Sequence, residues 1–226
     1  MKTYIVFDCY RTLIYKKNLA LTVQDFFRDV ESVFIPLPHI ERAYHFIYDR
    51  HKFKHPRFES AEDRKKFYIN YNKELMRIIG FEISDNVALV LNDKLTGVGY
   101  ICYEDTISTL QYFKDKKYPL VLLANWTDTL KTVLDNVGLS KYFGTTYSSH
   151  DLSIQKPDPK FFNKSLSSLL LDNETVYYIG DDYELDIVPA RHAGLTPILL
   201  DRDEKYPEQI DCLKIKSLVD LKTLIF

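Results

Sequence analysis

Apolar residues along this chain follow two periods. Tyr4, Ile5, Val6 and Phe7 form a continuous β-favouring run, the pattern of a parallel strand buried on both faces. Similar short runs recur at 120–123, 176–179 and 197–200. Between about 15 and 97 the spacing is helical and no strand is predicted. Val23, Phe26, Phe27, Val30 and Val33 share one face, as do Ile40, Ala43, Tyr44 and Ile47, and then Phe67, Tyr71, Leu75 and Ile78. Ser60 with Asp63 reads as a capping box, Gly80 as a stop, and Ser84 as the cap of a fourth helix over 87–95. Beyond 98, helices are predicted at 105–116, at Leu130, Val133, Leu134 and Val137 up to Gly138, after the Asp158-Pro159 start, and up to about Gly194. The order predicts an α/β fold: a parallel-sheet core from 1–14 and 98–226, interrupted by a helical bundle at 15–97 with hinges near 13–18 and 96–103.

Composition narrows the class. The chain has 226 residues, long enough to bury a sizeable core without disulfides or metals. It is 46% hydrophobic, no apolar run approaches eighteen residues, and a strand follows Met1, Lys2 and Thr3 directly, so neither a spanning helix nor a signal peptide is predicted and the expected location is cytoplasmic. Thirty basic against 32 acidic residues give a net charge of −2, and no basic stripe interleaved with aromatics is present, so neither nucleic acid nor membrane is an expected partner. Cys9, Cys102 and Cys212 lack ligand-like spacing and read as ordinary core or surface residues. Nothing in the pattern sets an oligomeric state.

Chemistry-bearing residues gather where predicted strands end. Asp8 follows the first strand and Thr12 stands four positions later; Asn125 follows the run at 120–123; Lys156, Pro157, Asp158 and Pro159 occupy a loop; Gly180, Asp181, Asp182, Glu184 and Asp186 follow the run at 176–179. In open α/β sheets such strand ends converge on one ligand site.

These four segments, in this order and separation, resemble the haloacid dehalogenase superfamily, a family of Rossmann-like α/β hydrolases with an inserted helical cap. The resemblance implies a nucleophilic Asp8 that forms a covalent intermediate with the substrate. It also implies a Mg²⁺ site built by Asp8, Asp181, Asp186 and the main-chain carbonyl of Tyr10, with oxygen ligation suiting that hard ion. Lys156 would hold Asp8 ionised and meet phosphate oxygens, while Thr12 and Asn125 would bond the transferring group or the motif loops. The expected partner is a small anionic molecule, with Arg11, Asn125 and Lys156 as its binding residues.

Two positions depart from the phosphatase pattern. Tyr10 stands where most phosphatases of the family carry the aspartate that protonates the leaving group, and Ala124 where they carry a hydroxyl residue. A phenol with a pKa near 10 is a poor acid–base group at neutral pH, so acyl and aryl phosphates, whose leaving groups need no proton, would suffer least. An Asp-x-Tyr motif also resembles 2-haloacid dehalogenases, in which Asp8 would displace halide and Arg11 would bind the carboxylate. Three readings therefore stand: a Mg²⁺-dependent phosphatase, which is favoured; a dehalogenase; and a weakly active relative that binds a ligand or partner. The stretch His51, Lys52, Phe53, Lys54, His55, Pro56, Arg57 could face an anionic substrate or form a solvated loop.

Overall fold

In a computed structural model, which describes residues 2–53, 58, 60–167 and 174–225, β1 (Thr3–Phe7) and a short β2 (Ile14–Lys16) lead into four helices: α1 (Leu19–Glu31), α2 (Leu37–His51), α3 (Ala61–Ile79) and α4 (Asp85–Gly97). A short β3 (Tyr100–Cys102) pairs with β2. The chain then runs through α5 (Thr106–Asp115), β4 (Leu120–Ala124), α6 (Leu130–Asn136), β5 (Thr145–Ser148), α7 (Ser149–Leu152), α8 (Pro159–Ser167), β6 (Thr175–Gly180), α9 (Val188–His192), β7 (Thr196–Leu200), β8 (Leu213–Ile215) and α10 (Leu221–Leu224). Among the described residues, no helix is long and apolar enough to cross a membrane.

Two compact units result, one of 1–15 with 100–226 and one of 16–99. In the first, six parallel strands lie in the order β5-β4-β1-β6-β7-β8. β1 is central, with Phe7 opposite Leu122 on one side and Ile179 on the other. Its continuous apolar run has the cause the pattern implied: Ile5 and Phe7 pack into a cluster with Leu110, Phe113 and Leu122, while Tyr4 and Val6 pack on the opposite face with Leu123, Phe161, Phe162 and Tyr178. Cys9 is fully buried in the first cluster.

In the helical unit, Val23, Phe26, Phe27, Ile40, Met76, Leu91 and Leu95 form the core. Two positions assigned by spacing face outward instead: Val30 is 53% exposed in the last turn of α1, and Ile78 is 37% exposed, with Met76 taking the buried position. Ser60 caps α3 by accepting the Asp63 N–H, but its hydroxyl donates to the Asp63 carboxylate at 2.8 Å, so the box is made by the hydroxyl rather than by the Ser60 backbone N–H. Gly80 ends α3 at φ +107°, where a side chain would be strained. His51 Nε2 lies 2.8 Å from Glu74 Oε2 with its ring against Phe67 and Tyr71. Lys54, His55, Pro56 and Arg57, the rest of the basic stretch, lie outside the described residues.

Candidate active site

The carboxyl end of β1 delivers Asp8 beside the ends of β4 and β6. The Asp8 N–H donates to Ile179 O at 2.8 Å, tying the start of this loop to β6. The loop then turns tightly, with Leu13 and Ile14 N–H both donating to Cys9 O and Arg11 held at φ +65°. Thr12, fully buried, donates its hydroxyl to Asp8 Oδ2 at 3.2 Å. Arg202, after β7, donates to Thr12 O at 3.0 Å while its fork grips both oxygens of Asp105, at 2.8 and 2.9 Å. A bidentate grip of this kind fixes orientation as well as charge, so it holds the Asp8 loop against the start of α5.

Lys156 lies at the centre. Its ammonium, 3% exposed, reaches Asp8 Oδ1 and Asp186 Oδ1 at 2.6 Å each and the Tyr178 hydroxyl at 3.0 Å. Burial opposes its charge, but Asp186 and then Asp8 outweigh burial and push its pKa well above the ordinary lysine value. Asn125 positions it through a reciprocal pair: the Asn125 amide donates to Lys156 O at 3.0 Å, and the Lys156 N–H donates to Asn125 Oδ1 at 2.8 Å. Both ends of that side chain are therefore engaged with the Lys156 backbone, which is the motif-loop role, one of the two expected for it.

Gly180, Asp181 and Asp182 end β6 in a turn of π-helical geometry over Tyr183–Ile187. Asp182 caps that turn, its Oδ1 accepting the N–H groups of Glu184 and Leu185, and its own N–H donates to Asp186 Oδ2 at 3.1 Å. Asp186 is thus turned back toward β6, where Tyr178 donates to its Oδ1 at 2.8 Å. Asp8, Asp181 and Asp186 bring one carboxylate oxygen each within 4.8 Å of one another. Their crowding shows in the protonation equilibria. Burial pushes Asp186 up to about 6, against the pull of Lys156, and pushes Asp181 well above the usual carboxylate range, against the pull of Arg11.

Arg11 lies against the acidic cluster. Its Nε lies 3.2 Å from Asp181 Oδ2 and its Nη2 3.2 Å from Asp203 Oδ2, so its fork meets carboxylates of the protein. Tyr10 turns into an aromatic group, with ring centroids 6.2 Å from Tyr100 and 6.5 Å from Trp126, and burial raises its phenol pKa. Ala124, at the end of β4, is buried and carries no hydroxyl.

Sequence reasoning missed Tyr178, Arg202 and the cause of Gly180. A tyrosine at a buried strand position signals a hydroxyl that must find a partner, and here it finds Lys156 and Asp186. Arg202 carried no comparable local signal, since its partner Asp105 is 97 residues away.

Comparison with known proteins agrees with this architecture. The model of the haloacid dehalogenase-like hydrolase family matches residues 51–200, a stretch that includes Asn125, Lys156, Asp181 and Asp186 and begins after Asp8. An uncharacterized protein of Saccharomyces cerevisiae is 30% identical over 151 residues, which cover 60% of this chain and 45% of that protein. A glyceraldehyde 3-phosphate phosphatase of Methanothermobacter thermautotrophicus is 26% identical over 132 residues, 54% of this chain and 58% of that one. The chain thus matches about half the length of these curated relatives. The magnesium-bound crystal structure of YfnB from Bacillus subtilis shares the fold at a TM-score of 0.74 and 20% identity, covering 99% of this chain and 98% of that one. With two thirds of its length inside the family model and the sheet order above, the chain belongs to the haloacid dehalogenase-like hydrolase family.

Proposed function

We propose that this protein is a divalent-cation-dependent phosphoryl hydrolase that acts on a small phosphorylated molecule with Asp8 as nucleophile. The observation that carries this reading is the ammonium of Lys156, held 2.6 Å from both Asp8 Oδ1 and Asp186 Oδ1 inside a cluster of three carboxylates. With all three carboxylates ionised, as cation binding requires, Lys156 and Arg11 leave them one positive charge short of neutrality, and that excess negative charge repels a phosphate dianion. An all-carboxylate donor set suits a hard cation such as Mg²⁺, which Asp8, Asp181 and Asp186 would hold, the family resemblance adding the Tyr10 carbonyl. Bound there, the ion supplies neutralisation of the phosphoryl oxygens.

The remaining work falls to this chain's own groups. Lys156 fixes Asp8 Oδ1 and Thr12 fixes Oδ2, so the carboxylate is oriented before attack. Asp8 attacks phosphorus, the bond to the leaving oxygen breaks with its electron pair, and the phosphoryl group passes to Asp8. Water then attacks that phosphorus and releases inorganic phosphate and free Asp8. Tyr10, whose phenol is pushed above its ordinary range, is a weak proton donor for the first step, and this favours leaving groups that depart as anions: acyl or aryl phosphates. The relative described as a phosphatase supports the same reaction class. A dehalogenase would need the Arg11 fork for a substrate carboxylate, and its pairing with Asp181 and Asp203 makes that reading the less supported one.

Phosphate release from acetyl phosphate and p-nitrophenyl phosphate, with and without Mg²⁺, tests the proposal. Metal-dependent release that disappears in Asp8→Asn is the expected result. Absence of release from both substrates in Mg²⁺ would overturn it.

A further inference from the structure

Arg11 combines two features that need a common cause. Its backbone stands at φ +65°, a conformation that glycine adopts without cost and other L-residues rarely take. Its side chain, 14% exposed, spans from the buried cluster to the surface: Nε meets Asp181, a proposed cation ligand, and Nη2 meets Asp203, which is 57% exposed. A residue placed at some backbone strain, with its guanidinium laid against a cation ligand, is there for its charge. The two contacts differ in strength. The pair with exposed Asp203 is screened and weak, whereas the pair with Asp181 lies in the low-dielectric cluster and neutralises a carboxylate whose charge burial otherwise disfavours.

We infer that Arg11 is a resident counter-ion of the cation site: it competes with the divalent cation for Asp181, and once the cation is bound its guanidinium serves the anionic group of the substrate. This inference rests on the proposed cation site. The electrostatics require the competition. A divalent ion held by Asp181 and a guanidinium 3.2 Å from the same carboxylate repel each other, so each weakens the other's hold on that carboxylate. With the cation in place, the positive groups exceed the three carboxylates in charge, and a planar fork that has lost its inner carboxylate is suited to bidentate capture of phosphate.

Calorimetric titration of the whole chain with Mg²⁺ alone, and then with inorganic phosphate in saturating Mg²⁺, reads both halves of this inference. In Arg11→Met, Mg²⁺ affinity is expected to rise by about tenfold and phosphate affinity to fall by about tenfold, with Arg11→Lys restoring both in part. Loss of a merely structural contact would weaken both. Should Arg11→Met fail to fold, Arg11→Gly, which the +65° backbone accepts without strain, carries the same test. Mg²⁺ affinity that is unchanged or lower in the variant overturns the inference. If the unaltered chain binds Mg²⁺ and Asp181→Asn abolishes that binding, such a result strikes this inference alone. If the unaltered chain binds no Mg²⁺, the cation site fails and the inference with it.

Discussion

The Asp186 side chain fills the space that a Cβ on Gly180 would need. An atom built there would fall 2.5 Å from Asp186 Oδ2 and closer still to its carboxyl carbon. The steric demand, rather than a positive φ, requires glycine here, and the contact lies at the base of the turn that aims Asp186 at Lys156. Gly180→Ala is expected to cost about 1–3 kcal/mol as an overpacked site. Because the atom that must yield is the Asp186 carboxylate, Mg²⁺ affinity should fall together with stability, and denaturant titration with calorimetry measures both. A stable variant with unaltered Mg²⁺ binding would contradict this.

Much of the arrangement was legible in the sequence wherever a residue's role depends on its own strand or helix. The doubly buried run of β1 and the carboxylates at strand ends follow from local pattern alone. So do the caps at Ser60 and Ser84, and the Asp158-Pro159 start of α8, where Asp158 accepts the Lys160 N–H. What stayed hidden depends on long-range pairing. β2, β3 and β8 are three residues each, too short to show a period, and β5 is a half-buried edge strand of threonines, tyrosine and serine that sheet pairing alone defines. At the site, the residue types were legible but their partners were not. Asn125 clamps the Lys156 backbone, 31 positions on, and Arg11 meets Asp181, 170 positions on in the chain.

The buried carboxylates make stability depend on pH in a direction opposite to that of an ordinary ion-paired aspartate. Burial, against the pull of Lys156, raises Asp186 from 3.8 to about 6 in the folded chain. The fold thus prefers the protonated form, and the stability linked to this group is present at acid pH and is lost as pH rises through about 6. Asp181, raised by burial against the pull of Arg11, acts in the same direction. Lys156, whose pKa is raised by Asp186 and Asp8 against the effect of burial, remains charged across this window and leaves the slope unchanged. In chelator, the melting temperature relative to that of Asp186→Asn is expected to fall from about pH 4 to about pH 7, and Mg²⁺ should remove most of that decline. A difference that rises over this window would show that Asp186 is stabilised as the anion instead.

Under the proposed function, Tyr10 is expected to limit which leaving groups the site expels, because two residues after Asp8 stands a phenol packed against Tyr100 and Trp126 rather than a carboxylic acid. Burial raises that phenol further from neutrality, so it neither donates a proton readily nor accepts one as phenolate. An alkyl phosphate, which departs as a strongly basic alkoxide unless protonated, should therefore turn over far more slowly than an aryl phosphate in the unaltered protein. Tyr10→Asp supplies the missing acid at the same loop position and should raise the alkyl-to-aryl ratio of kcat/KM by at least about tenfold, the lower range of general acid catalysis. The ratio is the informative quantity. Lost aromatic packing, or the added negative charge near Asp181, would alter both substrates together, whereas proton donation favours only the poorer leaving group. An unchanged ratio would show that leaving-group protonation is supplied elsewhere and that the tyrosine sets no limit.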